Sequence, residues 1–168
     1  MSADIAAAQS VAEAVQDRFA PASQCFGCGP ANDKGLRIKS VPTGGEGDEL
    51  VCAWHALPHH QAFPGMVNGG IVGALLDCHS NWTAAYHLMR SRELASPPCT
   101  VTAEFAVKLK RPTPLDSQLQ LLAHVVESES EGDRVVVAAT LAADGKICAT
   151  CRGVFVAVRE GHPAFHRW

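Results

Sequence analysis

The chain has 168 residues, of which 47% are hydrophobic and 18% charged, with a formal net charge of −3. This length and balance suit one domain with a sizeable core and exclude a disordered chain or a basic nucleic-acid binder. No apolar run reaches the roughly 18 to 20 residues that span a bilayer, and the chain opens on Met1-Ser2-Ala3-Asp4 without a basic and apolar leader, so a cytoplasmic protein is expected.

From Ser2 to Phe19, Ala, Val and Ile alternate with Asp, Glu and Gln at helical spacing, which predicts a short amphipathic helix ended by Pro21. Residues 1–20 read as an N-terminal helical extension and residues 21–168 as a single domain. Gly35–Val41 and Glu49–His55 predict a strand pair across the turn-forming segment Pro42-Thr43-Gly44-Gly45-Glu46-Gly47-Asp48. Leu57–Val67, with Pro58 and Pro64, reads as a loop. Asn68-Gly69-Gly70 then opens a long apolar run, Ile71–Leu88, which predicts a helix sheathed by other structure. After Pro97-Pro98 come four strands, Thr100–Lys110, Ser117–Glu127, Arg134–Ala142 and Lys146–Val158. One long apolar helix among antiparallel strands is an α+β pattern in which the sheet wraps the helix. In the first of the four strands, Val101, Ala103, Phe105, Val107 and Leu109 alternate with Thr102, Glu104, Ala106, Lys108 and Lys110, so the apolar set is expected against the helix.

The chemistry concentrates on that helix. Its first turn leaves N–H donors unpaired and carries partial positive charge, and Gly69 and Gly70 let a ligand carbonyl approach those donors closely. Asp77 lies inside the apolar run, where burial favours the neutral form of a carboxylate, so it is a candidate general base or nucleophile. Eight residues of helix separate Gly69 from Asp77 by roughly 12 Å, too far for both to act on one carbonyl. Two antiparallel copies across a twofold axis would bring Gly69 of one subunit to Asp77 of the other.

The stretch FPGMVNGGIVGALLDCHSNWTAA resembles the HGGxxxxxxD helix signature of the hotdog-fold acyl-CoA thioesterases, in the phenylacetate-pathway (PaaI-like) and 4-hydroxybenzoyl-CoA thioesterase-like branch. The resemblance implies the hotdog fold, with an antiparallel sheet around a long central helix. It implies that the Gly69 amide forms the oxyanion hole and that Asp77 activates water or attacks the thioester. Asn68 stands where the family carries His, and Ala62 where it often carries Asn or Gln, with Gln61 beside it as the substitute substrate contact. Val101–Pro112 resembles the family's central strand ending in an Arg-Pro turn, which places Thr102 with the catalytic group. CFGCGPANDKGLRIKS resembles the N-terminal segment of many members. Gly70, Gln61, Lys108, Lys110 and Arg111 are the expected substrate-binding residues, the three cations facing coenzyme A phosphates or simply a solvated strand end. The implied partners are an acyl-CoA substrate and a second copy of the chain, as a homodimer or a dimer of dimers, with no nucleic acid, no membrane and no metal or organic cofactor. A non-catalytic acyl-CoA binder is the alternative, for which Asp77 would be unnecessary. A hotdog dehydratase is another, for which a His would be wanted where Asn68 stands.

Seven cysteines invite a metal reading, because Cys25-x-x-Cys28 and Cys148-x-x-Cys151 form a CxxC…CxxC pair. Cys148 and Cys151 lie in a predicted strand, where positions three apart point to opposite faces, so no zinc site is expected from that pair. Cys78 beside Asp77 reads as packing. His59 and His60 read as loop residues, His79 and Asn81 as satisfied core groups, and His162 and His166 as a tail that Pro163 keeps from helical spacing.

Overall fold

A computed structural model describes residues 13–44 and 48–166. In chain order the elements are α1 (Val15–Phe19), β1 (Val41–Pro42), β2 (Leu50–His55), a 3-10 turn at Pro58–His60, a ribbon of β3 (Gln61–Phe63) and β4 (Met66–Val67), α2 (Gly69–Ser91), β5 (Thr100–Leu109), β6 (Gln118–Val125), β7 (Arg134–Ala143) and β8 (Lys146–Ala157). The main sheet has six strands in the order β1-β2-β6-β7-β8-β5, every neighbouring pair antiparallel. It packs on α2 through β2, β5, β6, β7 and β8. This is the hotdog arrangement.

Apolar side chains on several faces of α2 explain why the sheet surrounds it. Val72, Leu75, Leu76, Trp82, Ala84 and Leu88 are all buried, against Leu50, Leu119, Leu121, Leu141 and Phe155 from the sheet. Each such Leu, Val or Phe removed from water contributes roughly 1.5–3 kcal/mol, so the seam between helix and sheet dominates the core. The four strands after α2 fall within two residues of the expected bounds.

Two expected stretches before α2 differ from what forms. The strand expected over Gly35–Val41 shrinks to Val41–Pro42. Leu36 and Ile38 instead donate their N–H groups to the carbonyls of Phe26 and Gly27, at 2.7 and 3.1 Å, and Arg37 between them has φ 51°, outside the strand region. The loop Leu57–Val67 contains the β3–β4 ribbon. Of the expected N-terminal helix, residues 2–12 lie outside the described residues, while Val15–Phe19 is helical and Val15 is buried in the core.

The third difference bears on chemistry. The β5–β8 register shifts between Thr102 and Glu104, so Ala103 is an extra residue, a β-bulge. Before the bulge Thr100 and Thr102 face α2, bonding Asn81 and Asp77; after it Phe105 and Leu109 approach Gly73 and Gly69 of α2, and Val107 packs on the core. Simple alternation would have put Val101 and Ala103 on the helix and Thr102 outside. The bulge reverses that phase.

A buried polar chain ties α1 to α2. Gln16 Nε2 donates to Ser40 Oγ (2.9 Å), and the Ser40 N–H donates to Gln16 Oε1 (2.8 Å). His79 Nε2 lies 3.1 Å from the Leu50 carbonyl, which can only accept, so that nitrogen carries the proton and Nδ1 accepts from the Ser40 hydroxyl at 2.8 Å. Burial holds the His79 imidazole down to a pKa of about 4, against the hydrogen bond to Leu50 that raises it. Asn81 is likewise satisfied, accepting from Thr100 Oγ1 at 2.7 Å.

Because the unfolded chain binds a proton at His79 near pH 6.5 and the folded chain only near pH 4, stability is fully present above the higher value and falls as pH drops through this window. Urea unfolding of wild type between these two pH values should show a loss on the order of 3 kcal/mol from this group, and His79→Gln should lack that component.

Candidate active site

The site begins where the β3–β4 ribbon hands the chain to α2. Asn68 has φ −62° and ψ 135°, outside the helix, and its side-chain oxygen accepts the Gly70 N–H at 2.8 Å. This is an N-cap, worth roughly 1 kcal/mol to the helix. The Asn68 N–H in turn donates to the His60 carbonyl at 2.8 Å. His60 is held by the Leu57 N–H donating to its Nδ1 (2.9 Å) and by Trp54, 5.1 Å away between ring centroids. Burial, and then the charge of His59, lowers the His60 pKa, so its ring is a neutral structural acceptor.

Capping leaves an asymmetry between the two glycines. The Gly70 N–H is taken by Asn68, whereas the Gly69 N–H finds no acceptor among the described residues. Both residues are exposed. A Cβ on Gly69 would lie 3.3 Å from Leu109 Cδ1, tight enough to disturb the wall beside the donor. That wall belongs to a groove of about 360 Å³, lined among others by Phe63, Met66, Gly69, Leu109, Lys110 and Arg111. An acceptor entering the groove meets an exposed N–H at a positive helix end, flanked by apolar surface and two cations.

Asp77 lies two turns further on, half-buried. Thr102 Oγ1 donates to its Oδ1 at 2.8 Å, across from β5. Cys151 of β8 is close enough to feel the Asp77 charge. Burial above all pushes its thiol up to about 11, with the nearby Ser80 hydroxyl opposing and the Asp77 charge adding to the rise, so Cys151 stays protonated beside the carboxylate.

The expected site residues therefore divide into three places. Asn68, Gly69, Gly70, Lys110 and Arg111 gather at the N-terminus of α2. Asp77 and Thr102 meet at its middle. Lys108 falls on the far face of β5, in a shallow depression with Glu104, Thr150 and Arg152. Gln61 is exposed on β3, while its neighbours Ala62 and Phe63 line the groove. The unbroken helix from Gly69 to Ser91 keeps the first two places roughly 12 Å apart. Phe63 and Leu109 were not expected in the site; exposed apolar side chains beside Gly-rich turns are the signal that could have found them.

β5 is an edge strand of this sheet, ten residues long, with Phe105 37% and Leu109 60% exposed. Long edges with exposed apolar side chains invite pairing. No helix among the described residues is long and apolar enough to cross a membrane.

No protein-family model and no curated protein matches the chain. Solved structures do. A thioesterase superfamily protein from Shewanella loihica PV-4 is 28% identical, with a TM-score of 0.59 over 77% of this chain and 98% of that one. Another thioesterase superfamily protein has a TM-score of 0.64 at 22% identity over 79% of this chain, which spans only 62% of that relative's length. A hypothetical thioesterase solved with coenzyme A, from Streptococcus pneumoniae, has a TM-score of 0.56 at 15% identity over 67% of this chain and 82% of that one.

Asn68→Ala removes the acceptor of the Gly70 N–H and should lower the unfolding free energy by about 1 kcal/mol in chemical denaturation. Asn68→Asp, which keeps an acceptor at the positive helix end, should restore most of it.

Proposed function

We propose that this chain, which has the hotdog fold of the thioesterase superfamily, hydrolyses an acyl-CoA thioester at two composite sites of a homodimer. The observation that carries the reading is the Asp77 carboxylate held by the Thr102 hydroxyl on the central helix, 2.8 Å apart. A hydrogen bond from a neutral hydroxyl orients the carboxylate without neutralising it, and that carboxylate is the base or nucleophile that the resemblance implies.

The exposed Gly69 N–H supplies the second requirement, a donor for the oxyanion that develops as the thioester carbonyl is attacked. Since that donor and Asp77 lie too far apart on one helix, the reaction needs Gly69 of one subunit opposite Asp77 of the other. The exposed edge of β5 offers the surface for such pairing, and it carries Thr102 into the contact. In the general-base form, Asp77 takes a proton from water, the water oxygen bonds to the acyl carbon, and the C–S bond breaks. The thiolate leaves and is reprotonated to give coenzyme A and the free acid. In the nucleophilic form, the carboxylate itself bonds to the acyl carbon as the C–S bond breaks and the thiolate leaves to be protonated, and water then cleaves the resulting anhydride to free acid and carboxylate. Lys110 and Arg111, at the groove, suit the phosphates of coenzyme A, and Phe63 and Leu109 suit the acyl or pantetheine chain.

Two features weigh against the alternatives. Asn68 is occupied as a helix cap and carries no titrating group, which a dehydratase would want at that place. A pure binder has no use for a half-buried acid with a dedicated hydroxyl partner.

Thiol release from short, medium and aromatic acyl-CoAs tests the reading. Wild type should turn over at least one class, and Asp77→Asn should lower its kcat by roughly 10²–10⁴-fold while circular dichroism stays unchanged. Thr102→Val should lower kcat by a smaller factor with little change in KM. Tight acyl-CoA binding without release from any substrate would contradict hydrolysis and leave the binder.

A further inference from the structure

Outside this site, the described residues hold one cluster of three metal-ligating side chains: Cys25, Cys28 and Cys78, whose sulfurs all lie within 4.8 Å of one another. The cluster is not the CxxC…CxxC pair of the sequence, and Cys148 and Cys151 have no part in it. Cys25 and Cys28, in the loop before β1, meet Cys78 on α2, so the third thiol comes from the central helix rather than from β8. We infer that Cys25, Cys28 and Cys78 form a binding site for one thiophilic divalent cation, Zn(II), which clamps the N-terminal loop to the central helix.

The distances fit the ion. A Zn–S bond of about 2.3 Å in tetrahedral geometry puts adjacent sulfurs about 3.8 Å apart. Cys25 Sγ and Cys78 Sγ lie 3.8 Å apart. Three thiolates leave one coordination position for water or another small ligand, and Cys25 and Cys78 are only partly buried.

The surroundings are those of a built site. Trp82 Nε1 donates to Cys28 Sγ at 3.3 Å, a hydrogen bond suited to a negatively charged sulfur. Glycine is forced at two places in the loop. A Cβ at Gly27 would come within 2.3 Å of Cys78 Sγ, and one at Gly29 within 2.5 Å of the Cys25 backbone nitrogen. Plain packing of three small apolar side chains would demand neither the close approach at Gly27 nor an indole donor aimed at sulfur.

The loop so fixed also carries the Phe26 and Gly27 carbonyls that accept from Leu36 and Ile38, so the clamp organises the segment leading to β1. Cys78 immediately follows Asp77, about 100° around the helix, so the ion would bear on α2 beside the carboxylate without sharing its face.

The test reads metal and not hydrolysis, so it stands or falls apart from the proposed reaction. Reduced, metal-stripped full-length protein is titrated with Co(II) as a spectroscopic probe and with Zn(II) in competition. One Co(II) per chain, with thiolate-to-cobalt charge-transfer bands that Zn(II) abolishes and a thermal midpoint raised by Zn(II), is the expected result. Cys25→Ser and Cys78→Ser should lose the bands. Gly27→Ala, which keeps all three thiols but pushes the Cys78 sulfur aside, should lose or weaken them too. Absence of thiolate charge transfer in the folded wild type, or undiminished bands in Cys25→Ser and Gly27→Ala, would overturn the site.

Discussion

A carboxylate on a helix enclosed by a sheet is costly unless something hydrogen-bonds it, and in this chain Thr102 Oγ1 does so for Asp77. That contact depends on the extra residue at Ala103, since without it β5 would turn Thr102 away from the helix. It depends equally on α2 running unbroken through the concave face of the sheet, so that residue 77 reaches β5. The same strand leaves its outer edge open, and in the proposed dimer that edge is where the second subunit meets the site.

The donor end of the helix is organised by a different set of contacts. His60 is fixed by Leu57 and Trp54, its carbonyl holds the Asn68 N–H, and the Asn68 side chain caps Gly70. Each bond satisfies a backbone group that would otherwise compete for a ligand, and the chain of contacts ends at the exposed Gly69 N–H. An amide made available in this way is preorganised: it needs no reorientation when a negative oxygen approaches.

Much of the fold was legible because its signals are local. The apolar run after Asn68-Gly69-Gly70 has the length of a buried helix, and the four alternating stretches divided by Pro, Gly and acidic turns have the pattern of antiparallel strands. The segment Gly35–Val41 misled because its β-like composition is overruled by hydrogen bonds to the cysteine loop and by the positive φ at Arg37. The phase of β5 misled because a bulge leaves no mark in a pattern of two. Gly69 stood out as a glycine opening a buried helix and Asp77 as an acid inside its apolar run, and Thr102 through the resemblance of its strand to a known signature, but that Lys108 sits on the other face from Lys110 and Arg111 follows only from where the strand ends. Cys78 was unreadable as a partner of Cys25 and Cys28 because fifty residues of chain separate groups that the fold brings together.

The central claim is that donor and carboxylate act from opposite subunits, and subunit mixing tests it most directly. Asp77→Asn disables the carboxylate, and Gly69→Val blocks the donor end through its contact with Leu109. Each variant alone should be nearly inactive. Unfolded together and refolded as a random mixture, they should recover about a quarter of the wild-type rate, because half the dimers are mixed and each holds one intact site. A mixture no more active than its components would contradict the composite site.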